Sequence, residues 1–123
     1  MIRQKAQPAT IYAFFRRVRN RQEEAFTTET IIAEVTYVLS SRGTYRLSHA
    51  DISGRLKPVL RLRGLKLPHK RICLRALDLY AQHPRLDIED ALAVAHMERA
   101  GLHEIVSYDA DFERLPGIRR TDP

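Results

Sequence analysis

Cysteine is almost missing from this chain. Cys73 stands alone, so no internal disulfide can form, and that usage fits a reducing cytoplasm. Long apolar runs are missing as well. Nothing approaches the ~18 residues a membrane span needs, and Arg and Gln break up the start where a signal peptide would carry its apolar centre. The five His and the single Cys fall into no zinc-ligand spacing such as HExxH or paired CxxC. Repeats, low-complexity tracts and linkers are absent too. What is left is a globular mix, 44% apolar and 29% charged, over 123 residues. That is the size of one domain, expected over residues 1–123, and it can bury roughly two-thirds of its unfolded surface.

Acids are missing from two stretches. Met1 to Gln22 carries Arg3, Lys5, Arg16, Arg17, Arg19 and Arg21 without an acid. Ile52 to Leu77 carries Arg55, Lys57, Arg61, Arg63, Lys66, Lys70, Arg71 and Arg75, again without one. Between Asp78 and Glu113 the balance reverses, with nine acids against Arg85 and Arg99. The net charge of +6 therefore hides a segregation. Basic runs form either solvated helix faces or a cationic surface that attracts phosphate. Acids gathered in such a protein repel a polyanion, unless a divalent cation bridges carboxylate to phosphate.

Apolar periodicity predicts five helices. The first covers about residues 8–21 behind Pro8, with Ile11, Phe14, Phe15 and Val18 on one face. A short extended segment, Ala25 to Thr27, precedes a second helix capped by Thr28, whose face is Ile31, Ile32, Val35, Val38 and Leu39. Ser48 and Asp51 resemble a capping box for a third helix, which Pro58 is expected to kink or break. Gly64 to Pro68 reads as a link or strand. A fourth helix carries Ile72, Ala76, Leu77 and Tyr80, and a fifth opens at Asp87 and closes at Gly101. Glu104 to Ser107 reads as a buried strand, and Ile118, after the Pro116-Gly117 turn, starts a last one. Helices alternating with short apolar strands give an α/β fold with a small parallel sheet.

Five carboxylates stand out. Glu34 lies at the edge of the buried arc of its helix, either reaching solvent or an Arg, or aimed into a cleft. Asp87 and Asp90 start an alanine-rich helix, where acids cap and complement the dipole whatever else they do. Asp109 and Asp111 follow a strand, the place where open α/β sheets bind ligands, although an Asx-turn would also explain Asp109.

The segments TTETIIAEVTYVLS, RLDIEDALAVAHMERAG and EIVSYDADFERLPGIRR resemble the successive motifs of PIN-domain ribonucleases, closest to the VapC-like toxins of type II toxin–antitoxin modules. The resemblance runs from about Pro8 to Arg120, and DALAVAHMERAG followed by SYDADF is its most specific part. It implies a small parallel sheet flanked by helices and an acidic cluster that binds Mg²⁺ or Mn²⁺ for RNA cleavage. By motif, Glu34, Asp90 and Asp109 are the catalytic and metal-holding acids, Asp111 is a further metal-site partner, and Ser107 or Thr28 would hydrogen-bond a carboxylate. It also implies a cognate antitoxin and a homodimer, and no membrane association. The family opens with a strand bearing Asp-x-Asn, and no acid precedes Glu23 here. The expectation is a PIN-like domain that begins one strand late, lacks one ligand, and has a gap in its sheet with exposed strand edges.

Hard oxygen ligands select Mg²⁺ or Mn²⁺, which would orient a water for in-line attack on phosphorus. Two further readings stay open. One is a non-catalytic remnant that binds RNA or protein. The other is a helical DNA-binding module built on residues 48–62 and 70–83, which leaves the acidic clustering unexplained. Cys73 and the Phe14/Phe15 pair are expected in the core, with that pair alternatively part of a dimer or antitoxin groove. His96 is expected to be structural.

Overall fold

The computed structural model describes residues 8–123, with side chains from Ile11 onward, so Arg3, Lys5 and the Met1 to Arg3 segment lie outside the described residues. The elements follow in the order α1 (Pro8–Arg19), β1 (Ala25–Phe26), α2 (Glu29–Ser40), α3 (His49–Leu60), β2 (Leu65–Lys66), α4 (Lys70–Gln82), α5 (Ile88–Ala100), β3 (Glu104–Val106), a 3-10 helix (Ala110–Arg114) and β4 (Arg119–Thr121).

Local signals set most of these boundaries. The Thr28 hydroxyl accepts the Ile31 N–H, the Ser48 hydroxyl accepts the Asp51 N–H, and the Asp87 carboxylate accepts the Asp90 N–H. Each satisfies a donor that a helix start leaves unpaired. Gly101 ends α5 at φ +70°, a left-handed conformation that glycine adopts without a side-chain clash. Helix α3 runs through Pro58 to Leu60 instead of breaking there. The proline sits in the last turn, so its missing N–H costs one hydrogen bond near an end that frays anyway.

Helices α3, α4 and α5 pack on one another and hold the densest part of the core. Ile52, Leu60, Ala76, Leu77 and Ala91 are 0% exposed there. The ring of His49 on α3 stacks on Tyr80 of α4 at 3.7 Å, and its Nε2 donates to the Leu86 carbonyl at 2.9 Å. Cys73 is buried in the same layer, and Phe14 and Val18 bring α1 onto the core. Helix α2 buries a narrower stripe than its apolar pattern predicts. Ile32 and Thr36 are buried, with the Thr36 hydroxyl donating to the Ile32 carbonyl, whereas Val35 and Val38 are exposed. Among the described residues α3 and α5 are its main neighbours, so one line of residues four apart is enough to fill the contact.

The strands form two parallel pairs. β1 pairs with β2, placing Ala25 opposite Leu65 and Phe26 opposite Lys66, and β3 pairs with β4 from Glu104 opposite Arg119 to Val106 opposite Thr121. Among the described residues each strand has a neighbour on one edge only. The expected burial of β3 is therefore not found: Ile105 is half-buried and Val106 is exposed. Gly64 makes the β1–β2 pair possible. Its N–H donates to the Val18 carbonyl at 2.9 Å, and a Cβ there would lie 2.4 Å from that same oxygen. No helix among the described residues is long and apolar enough to cross a membrane.

Candidate active site

The carboxyl end of β3 leads into the loop that carries Asp109. The Ser107 hydroxyl accepts the Asp109 N–H at 3.1 Å, and the Asp109 carboxylate accepts the Asp111 N–H at 2.9 Å, capping the 3-10 helix. The Asx-turn role of Asp109 is thus real, and among the described residues it leaves the second carboxylate oxygen without a backbone donor. Ser107 and Thr28 bond backbone N–H groups, not carboxylates, contrary to expectation, because each sits where a turn or helix start presents an unpaired donor.

Arg120, on β4, was not singled out by the sequence. Its guanidinium donates to the Ser107 carbonyl at 2.8 Å and to Glu113 at 2.6 and 2.9 Å, and it also pairs with Asp122. It fastens the loop that carries Asp109 to the neighbouring strand. Only the register of β3 on β4 brings these groups together, and no local pattern reveals that.

Asp90, in the first turn of α5, is half-buried. Burial and the nearby charges of Asp87 and Asp109 push its carboxyl up to about 6. Like charges raise one another's pKa when no cation sits among them. Asp109, in the loop after β3, thus lies close enough to the start of α5 for its charge to act on Asp90. Glu34 takes a different position. It is exposed on α2 and lines a groove of about 520 Å³ with Glu29 and Tyr37 of α2 and with Glu89 and Leu92 of α5. Asp111 is half-buried and lines another cavity, of about 280 Å³, beside His83, Arg85 and Arg114. Neither Glu34 nor Asp111 is among the charges that act on Asp90. His96 is structural: its Nε2 meets Glu29 at 2.9 Å and ties α5 to α2.

Carboxylate oxygens are the donors a hard divalent cation prefers. Their chemistry fits, and the crowding at Asp90 favours positive charge. The number falls short, since among the described residues no group of three or more His, Cys, Asp or Glu is placed to hold a metal ion.

The cations lie elsewhere. Lys57 pairs with Asp78, Arg75 with Glu98, and Lys66 with Glu24 at 3.9 Å. Among the described residues Arg55, Arg61, Arg63, Lys70 and Arg71 have no carboxylate at ion-pair distance. The acid-free stretch thus keeps an unneutralised surface. The DNA-binding alternative loses its structural basis, because β2 stands between α3 and α4 in place of the short turn of a helix-turn-helix.

A family model described as PIN domain matches residues 6–118. The chain matches no curated protein and no solved structure.

Proposed function

The chain belongs to the PIN-domain family, whose members are generally nucleases that use divalent metal ions, and on that premise we propose that it is an endoribonuclease of the VapC-like toxin type. The observation that supports this reading is the acidic surround of Asp90 at the start of α5, where burial and the charges of Asp87 and Asp109 raise its carboxyl to about 6. Asp90 and Asp109 are the acids proposed to hold Mg²⁺ or Mn²⁺, with Glu34 on the neighbouring groove and Asp111 further out. A bound cation there would supply charge stabilisation on phosphoryl oxygens and a more acidic water. Asp109 is held in place by Ser107 and the Arg120 clamp, and Asp90 by its position one turn into α5. Arg and Lys of the 52–77 stretch would hold the RNA backbone through salt-sensitive, sequence-independent contacts.

The reading includes a further parallel strand with an acidic ligand, which would cover the open edges of β1 and β3 and complete the acid set. It also includes a cytoplasmic location, a homodimer, and a cognate antitoxin that restrains activity. A second reading has its own support. With no group of three or more His, Cys, Asp or Glu placed to hold a metal ion, the described residues also suit a non-catalytic module that binds RNA or protein.

Cleavage of single-stranded RNA in Mn²⁺ separates the two. The nuclease reading expects cleavage by the wild-type chain, more strongly when an Asp-x-Asn strand is supplied upstream, and its loss in Asp90→Asn and in EDTA. Cleavage retained by Asp90→Asn would refute the assignment of Asp90. No cleavage with the strand supplied would favour the second reading.

A further inference from the structure

The unneutralised cations are not spread evenly. At the carboxyl ends of β1 and β2 a cleft of about 380 Å³ is lined by Phe26, Arg63, Leu65, Lys66, Pro68 and Lys70, among others. Phe26 is 63% exposed, which is unusual for a phenylalanine in a strand. The parallel register explains its neighbours. Ala25 opposite Leu65 faces the core, so Phe26 and its partner Lys66 emerge together on the other face.

The charges around the ring are available. Arg63 has no carboxylate partner among the described residues. Lys66 has only a 3.9 Å approach to Glu24, with both side chains more than half exposed, a contact of little strength. Lys70 donates one N–H to the Leu65 carbonyl at 2.7 Å, which fixes the ammonium at the cleft wall and leaves two N–H groups. Burial and the charge of Lys66 lower the Lys70 pKa, as expected where cations crowd without an anion.

We propose that this cleft is a binding subsite for single-stranded RNA, in which one base stacks on the Phe26 ring while Arg63, Lys66 and Lys70 hold the adjoining phosphates. An aromatic ring between cations is the arrangement that takes a single strand without reading its sequence, because every base offers a π-face. A duplex keeps its bases stacked on one another and cannot use the ring. An apolar protein partner would strand the cations beside the ring without counter-charge, at a desolvation cost. The subsite lies at the carboxyl ends of strands, where α/β sheets receive ligands. The inference rests on the nuclease reading for its polymer, and it adds a positioning site that the acids do not supply.

Binding of the full chain to a short fluorescent oligoadenylate, and to an abasic ribose-phosphate strand of equal length, is measured by anisotropy in EDTA, so that no cleavage enters. Phe26→Ala is expected to weaken oligoadenylate binding about tenfold and to leave the abasic strand unchanged, while Phe26→Trp retains both. Arg63→Gln with Lys66→Gln should weaken both strands and lower the salt slope by about 0.7 per charge removed. Circular dichroism of each variant checks the fold. No binding by the wild type, or equal binding of oligoadenylate by wild type and Phe26→Ala, overturns the proposal. Equal weakening of the two strands by Phe26→Ala overturns it as well. If it is overturned while the wild type cleaves RNA in Mn²⁺, the nuclease reading stands. If the ring-dependent binding is found without any cleavage, the subsite stands and the nuclease reading falls.

Discussion

The α3–α4–α5 layer and the two strand pairs are built on opposite terms. In the helical layer Leu77, Ile52 and Leu60 are fully enclosed, and each buried leucine contributes about 1.5–3 kcal/mol. In the strand pairs Phe26 and Val106 are each 63% exposed, and each strand has one neighbour among the described residues. Stability resides in the helices. The groups suited to RNA and to a cation, Phe26 with Lys66 and Asp109 behind β3, stand at the ends of the poorly covered strands. A rigid layer that carries its chemistry at exposed sheet ends is the usual division in α/β folds.

Three measurements break or sharpen that contrast. The largest effect belongs to the helical layer: Leu77→Ala should cost about 2–5 kcal/mol in chemical denaturation, since the surrounding helices cannot collapse into the space. A cost below ~1 kcal/mol would show that the layer is not the stabilising core.

The second effect comes from the burial of Asp90 among other acids. Because folding raises the Asp90 carboxyl to about 6, the folded chain holds a proton that the unfolded chain releases near 4. The associated stability is fully present below pH 4 and is lost as pH climbs from about 4 to about 6. Asp90→Asn should remove that decline and raise the melting temperature at pH 7 relative to wild type. A parallel pH profile in the variant would deny the crowding. The smallest effect is expected at the strand edge, where Val106→Ala should change stability by no more than ~0.5 kcal/mol, because that side chain faces solvent. A loss as large as that of Leu77→Ala would mean that β3 is covered.

What the sequence revealed follows the same division. Caps at Thr28, Ser48 and Asp87 and the stop at Gly101 were legible because each is settled by a few neighbouring residues. So was the α/β order of elements, and so was the family. Features that depend on distant chain were not. Val35 and Val38 carry the period of a buried face, yet no element among the described residues buries them. Glu104 to Ser107 reads as a buried strand, yet the second edge of β3 has no neighbour among the described residues. The need for glycine at position 64 comes from the Val18 carbonyl, and the Arg120 clamp comes from strand register. For the candidate site, residue types were readable and their placement was not: the charge of Asp109 acts on Asp90, while Glu34 and Asp111 line other cavities.

Calorimetric titration of Mn²⁺ into the wild type and Asp90→Asn at pH 6, in buffers of different ionisation enthalpy, tests the central claim most directly. A cation held by Asp90 and Asp109 predicts saturable binding in the wild type, with release of roughly half a proton at a pH equal to the Asp90 pKa, and loss of both in the variant. Identical titrations of the two proteins, or no binding by the wild type, would contradict it.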